Sequence, residues 1–155
     1  MSLYLTVKTL HILSAAVLFG TGAGIAFFMF RSYFCKDSQG KLFVARNTVL
    51  ADYLFTLPAA VFQPLSGIWL IFLAGYRWDS KWLVISYLLY LLIGLCWLPV
   101  VWIQIQLKQL LIVANTTHSP LPSHYQTLFH WWIALGVPAF ISILVIFFLM
   151  VLKPV

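Results

Sequence analysis

The sequence predicts an all-α integral membrane protein, an antiparallel four-helix bundle built from four transmembrane helices. Three observations carry that reading. Hydrophobic residues make up 63% of the 155 and charged residues only 8%, against about 25% charged in soluble domains. Four apolar runs, at about 3–34, 48–75, 82–114 and 125–152, each reach the length needed to cross a bilayer, which takes ~20 helical residues. Short polar connectors separate the runs, and such tight connections set neighbouring helices antiparallel.

The first run, Leu3 to Phe34, is too long for the core of a signal peptide and lacks a small-residue cleavage site, so it reads as a mature span. A polar, glycine-containing connector from Cys35 to Lys41 precedes the second run, Thr48 to Gly75. The short stretch Tyr76 to Lys81 leads into the third run, Trp82 to Ala114, and the breaker-rich Asn115 to Ser123 leads into the fourth, Tyr125 to Leu152. Backbone groups in lipid must be hydrogen-bonded within their own segment, so helices are the reading for all four. The whole chain, 1–155, forms one four-span domain.

The net charge is +6 with three acidic residues. In a soluble protein that balance points to nucleic acid; here the basic residues sit in connectors, where they meet anionic headgroups, and no nucleic-acid partner is expected. The face bearing both termini and the second connector, called the terminal face, carries Lys8, Arg77, Lys81 and Lys153. The opposite face carries Arg31, Lys36, Lys41, Arg46 and Lys108, an excess of one that favours it as the cytoplasmic side. Trp78, Trp82, Trp131 and Trp132 fall where interfacial aromatics are expected. Cys35 and Cys96 form no CxxC and suggest neither a disulfide nor a zinc site. The chain has no glutamate, no nucleophile with a base and orienter, and no phosphate loop; the Gly-Thr-Gly-Ala-Gly of the first run lies inside an apolar helix.

Ionisable side chains within a span point to function, and Lys8-Thr-Leu-His11 sets a cation and an imidazole one turn apart. Helical periodicity places Lys8, His11, Ser14, Leu18 and Gly22 on one stripe, and Gly20 with Gly24 reads as a small-xxx-small pair for close helix packing. Asp52, Ala59, Gln63 and Ser66 share a face of the second helix, where Pro64 frees a carbonyl. On the third, Tyr90, Gly94, Trp97, Val101, Gln104 and Lys108 recur at three-four spacing, with Pro99 interrupting; on the fourth, His130 and Pro138 are the exceptions.

Depth sorts these into two clusters. His11 lies about one turn below the terminal face, whereas His130 begins the last span on the order of 30 Å away, so the two imidazoles cannot clamp one metal. Near the terminal face stand Lys8, His11, Gln63, Ser66 and Tyr87 or Tyr90; near the opposite face stand Arg46, Asp52, Gln104, Gln106 and His130. Asp52 needs a partner there, and Arg46 or His130 is expected to supply it, as a structural ion pair or a proton relay.

The motifs Lys8-Thr-Leu-His11, Phe19-Gly-Thr-Gly22, Val49-Leu-Ala-Asp-Tyr53, Gln63-Pro64, Cys96-Trp-Leu-Pro-Val-Val-Trp102, Gly136-Val-Pro-Ala-Phe140 and Met150-Val-Leu-Lys-Pro154 resemble an uncharacterised family of small bacterial integral membrane proteins, DUF2269. That family looks distantly similar to the HemJ-type protoporphyrinogen oxidases and the CopD-type copper-resistance proteins. HemJ-type chains also carry Lys-x-x-His in the first span and end in Lys-Pro, matched here by Lys8, His11, Lys153 and Pro154. The resemblance implies a bacterial inner-membrane location and a haem b site with His11 as axial ligand; helical depth sets Lys8, Gln63 and Tyr90 beside it. It does not carry porphyrinogen oxidation, because Phe30-Arg-Ser-Tyr-Phe34 lacks the family's second histidine and Trp132-Ile-Ala-Leu-Gly-Val-Pro138 lacks its acid.

Three functions follow as expectations. The first is a haem b redox protein, a possible membrane oxidoreductase, with His11 on the metal and Lys8 near a propionate. The second is a copper-handling protein using His11 with Met1 and Met150, a poor set because copper(I) favours clustered sulfur. The third is a non-catalytic subunit whose polar residues orient helices and dock a membrane redox partner or a second copy.

Overall fold

The computed structural model describes residues 2–154. Its helices are α1 (Leu3–Tyr33), α2 (Ser38–Ala51), α3 (Leu57–Ala74), α4 (Lys81–Thr117) and α5 (Ser123–Leu152). A π-helical turn over Asp52–Thr56 joins α2 to α3 without a break, so four helical segments are long and apolar enough to cross a membrane. No strand occurs among the described residues. The 31 residues of α1 extend roughly 46 Å, more than the ~30 Å hydrocarbon core, so its ends project among the headgroups.

The second span starts at Ser38, ten residues before the apolar run. Asp37 is the reason: its carboxylate accepts from the backbone N–H groups of Gln39 (3.0 Å) and Gly40 (2.9 Å) and caps the helix. Leu42, Ala45 and Val49 then bury one face against the bundle, while Arg46 and Asn47 turn outward. Polar residues on that outer face had disguised the helix as a connector.

The bundle is closed at one end and splayed at the other. α4 packs most extensively on α5, and α1 on α3; α2 ties the two pairs together through α4, whereas α1 and α5 barely meet. The main core therefore lies toward the opposite face, around Met29, Leu107, Leu111, Phe129 and Trp132. At the terminal face only a small cluster of Ile71, Trp82 and Leu83 forms. There Arg77 grips Asp79 through Nε–Oδ1 (3.0 Å) and Nη2–Oδ2 (2.6 Å) and orders the α3–α4 turn. Hydrogen bonding from the guanidinium holds the Asp79 carboxyl below its ordinary range, so this exposed contact is lost as pH falls through that lowered value.

Two expectations fail in the packing. A Cβ placed on Gly20, Gly22 or Gly24 meets nothing within 4 Å, so these glycines bring no helix of this chain close. The splay of α1 from α5 explains it. Trp78 and Trp131 are exposed as interfacial aromatics should be, but Trp82 and Trp132 are each only 7% exposed and face the interior.

Helix association in lipid rests on packing rather than on expulsion from water. Phe129, with no exposed surface, should therefore be a strong determinant of stability. Phe129→Ala is expected to lower stability by roughly 3–5 kcal/mol in detergent unfolding titrations, and Phe43→Ala, at a site 70% exposed, to leave it nearly unchanged.

Candidate functional site

The splayed end holds a recess of about 560 Å³ lined from all four spans, with Lys8 and His11 from α1, Gln63 from α3, Tyr90 from α4, and Met150 from α5. The volume falls within the ~300–1,000 Å³ of small-molecule sites. Four of its polar lining residues, Lys8, His11, Gln63 and Tyr90, are those the sequence placed near the terminal face. The structure brings them to one cavity.

His11 is fixed from both sides. Its Nδ1 lies 2.8 Å from Ser66 Oγ, and its Nε2 lies 3.2 Å from the Gln63 side-chain nitrogen. The Ser66 hydroxyl has one proton, directed at the carbonyls of Phe62 (2.8 Å) and Gln63 (3.1 Å) one turn back on α3. With that proton on a carbonyl, Ser66 Oγ accepts from a His11 Nδ1–H and the Gln63 amide donates to the Nε2 lone pair; the reverse arrangement, Ser66 donating to Nδ1 and Nε2–H donating to Gln63 Oε1, fits the same distances. Gly67 lies against the ring: a Cβ there would stand 3.4 Å from His11 Cε1, at the near edge of ordinary van der Waals contact. Gln63 Oε1 is buried and has no partner, an acceptor left open beside the imidazole.

Pro64 positions the opposite wall. Lacking an N–H, it leaves the Ala60 carbonyl without its helical donor, and the Tyr90 hydroxyl supplies one across the helix gap at 2.5 Å. Ser14 likewise donates to the Ala59 carbonyl (3.3 Å) and holds α1 against α3. These bonds hold the recess open at a fixed width where side-chain packing is sparse.

Cations stand at the mouth. Lys153 ends α5 in a left-handed conformation (φ 43°), donates to the Tyr76 hydroxyl, and lies 4.5 Å from the Tyr76 ring centroid and 5.7 Å from that of Trp82. Lys8 lies 5.7 Å from the Tyr4 centroid. Cation–π contacts of this kind keep an ammonium near an apolar wall. Tyr76 escaped the sequence reading because it follows Gly75, whose left-handed φ of 66° turns the chain back over the recess. Nothing in the α3 periodicity signals that turn.

The second predicted cluster assembles differently. Asp52 is 3% exposed, but neither Arg46 nor His130 reaches it; both are exposed, and His130 instead lies near Tyr33, with ring centroids 6.4 Å apart. The only ion pair among the described residues is Arg77 with Asp79. Neutral donors serve Asp52: Trp97 Nε1 at 3.4 Å and the Gln104 amide nitrogen at 2.6 Å, while Gln104 Oε1 accepts from Trp132 Nε1 at 3.2 Å. Trp132 is available because it faces inward, contrary to its interfacial assignment. Arg46 and His130 are therefore no part of a relay through Asp52.

Among the described residues no three His, Cys, Asp or Glu side chains are close enough to share an ion. Met150 lines the recess with His11, whereas Met1 lies outside the described residues.

The proline carbonyl offers a test of the site's construction. Tyr90→Phe strips Ala60 of its donor and is expected to cost roughly 1–3 kcal/mol in detergent unfolding. In a Pro64→Ala background, where a backbone N–H is restored, the same substitution should cost far less.

No curated protein and no solved structure matches the chain. A family model described as a predicted integral membrane protein, DUF2269, matches residues 5–154. The match covers nearly the whole chain, and the protein belongs to that family of multi-pass membrane proteins.

Proposed function

We propose that the protein is a haem b-binding redox protein of a bacterial cytoplasmic membrane, with the porphyrin in the recess below the terminal face. One observation carries the proposal. His11 sets its imidazole on the wall of a 560 Å³ apolar cavity lined also by two lysines, and with its proton on Nδ1 toward Ser66 the Nε2 lone pair would be free for a metal.

The donor set fits such a group better than it fits a bare ion. A copper ion needs several protein ligands, and one imidazole with one thioether is a sparse set. Iron held in a macrocycle brings its own equatorial ligands and asks the chain only for axial ones. Ser66 has the role of the outer partner that fixes tautomer and ring direction in metal-ligating histidines. Lys8 and Lys153 suit the two carboxylates of a propionate pair, and Met150 also lines the cavity. Gln63, within hydrogen-bond reach of His11 Nε2, would have to give up that contact for a metal to be held there. When bound, the group supplies one-electron transfer at iron. The chain's own part is to ligate, orient, and keep the site apolar.

The test is optical and elemental. Full-length protein, purified in detergent from cells supplied with haem precursor, should show a Soret band and about one iron per chain. His11→Ala should abolish the band, and Gln63→Leu should keep it, since that amide opposes ligation. Colourless protein that also fails to take up added haemin contradicts the proposal. Copper in place of iron would favour the copper-handling alternative; neither metal would leave a subunit whose polar residues serve helix packing and partner docking.

A further inference from the structure

Asp52 occupies the most costly position for a charge in this chain. It starts the π-helical turn about 14 residues into the second span, or roughly 21 Å from its beginning, near mid-membrane. It is 3% exposed, no lysine, arginine or histidine lies within ion-pairing distance, and its two hydrogen-bond donors, Trp97 and Gln104, are neutral. An ionised carboxylate buried without a cation is strongly disfavoured.

A second, independent observation lies one turn on. Thr56 is 8% exposed, and its hydroxyl is buried without any other partner. It stands at hydrogen-bonding range of the Asp52 carboxyl, at the far end of the same π-helical turn. Pro58 lies just beyond and has no N–H to give, so the backbone here is already short of a donor. A hydroxyl accepts as well as donates, so Thr56 Oγ1 offers a protonated Asp52 carboxyl an acceptor that a lysine or arginine could not.

We infer that Asp52 and Thr56 form a proton-binding site in the middle of the bundle, with Asp52 held as the neutral acid and Thr56 Oγ1 as the acceptor for its proton. The bound ligand is the proton itself. Titratable groups on the surrounding elements do not compensate for it. Arg46 and Tyr53 on its own helix, Arg31 on α1 and His130 on α5 are exposed; Lys108 on α4 is half-buried and unpaired; His11 is committed to Ser66 and Gln63. The inference is independent of what fills the recess.

The composition makes the test clean. Besides Asp52 the chain has only Asp37 and Asp79 as side-chain acids, both exposed, one capping a helix and one paired with Arg77. Infrared spectroscopy of the full-length protein in lipid at neutral pH should show one protonated-carboxyl stretch that shifts in D₂O. Asp52→Asn, which keeps the shape and an acceptor oxygen, should remove it; Thr56→Val, which keeps the acid, should shift its frequency. Absence of the band at neutral pH, or its persistence in Asp52→Asn, overturns the site. An unshifted band in Thr56→Val overturns the assignment of the acceptor. A band lost on adding sodium shows a metal cation to be the ligand instead and overturns the proton reading.

Discussion

A serine hydroxyl has one proton to give, and in Ser66 the helix behind it takes that proton through the carbonyls of Phe62 and Gln63. Everything argued for the recess depends on this. With its proton given to those carbonyls the hydroxyl accepts from His11 Nδ1–H, and the other ring nitrogen keeps a lone pair. In water such a bond would compete with solvent and fix little. Below a membrane surface few competitors are present, and a local side-chain-to-backbone bond, common in helices, becomes the device that sets the tautomer of a ring on another helix.

The same scarcity of partners explains the rest of the polar interior. Pro64 leaves a carbonyl that only Tyr90 can reach. The Asp52 carboxyl draws in Trp97 and Gln104, and through Gln104 also Trp132. Each of these contacts crosses between helices, so the requirement that buried groups be satisfied also ties the bundle together. The splay between α1 and α5 is tolerated because the Phe19 ring bridges it, stacking on Phe140 at 5.4 Å and meeting Phe147 edge-on at 5.7 Å. The cavity thus exists because one helix pair leans away from the other while a few polar bonds hold its walls.

Much of this is legible in the sequence, for reasons that differ by element. The spans can be read because apolar runs of bilayer length have no other stable use. The cluster of Lys8, His11, Gln63, Ser66 and Tyr90 can be read because helical period and rise locate residues both around and along an axis. Other features resist such reading. The start of α2 was hidden since Asp37 caps a helix whose first turns are polar on their outer face. The partners of Asp52 were misassigned because opposite charge suggested Arg46 and His130, while facing direction, which depends on how helices rotate in the bundle, turned both outward. Glycine spacing in α1 suggested close packing that the splay does not provide. Tyr76 and Lys153 meet only through two left-handed residues at helix ends, which no periodicity records.

The central claim is that His11 stands as a neutral imidazole with its proton on Nδ1 and a lone pair turned to the recess. Nitrogen NMR of protein labelled selectively in histidine, with His11 assigned by difference against His11→Gln, reads the tautomer directly. The account predicts the Nδ1–H form, an Nδ1 resonance that moves in Ser66→Ala, and an Nε2 resonance that moves in Gln63→Leu. An Nε2–H tautomer, or a ring whose nitrogens respond to neither substitution, would contradict it.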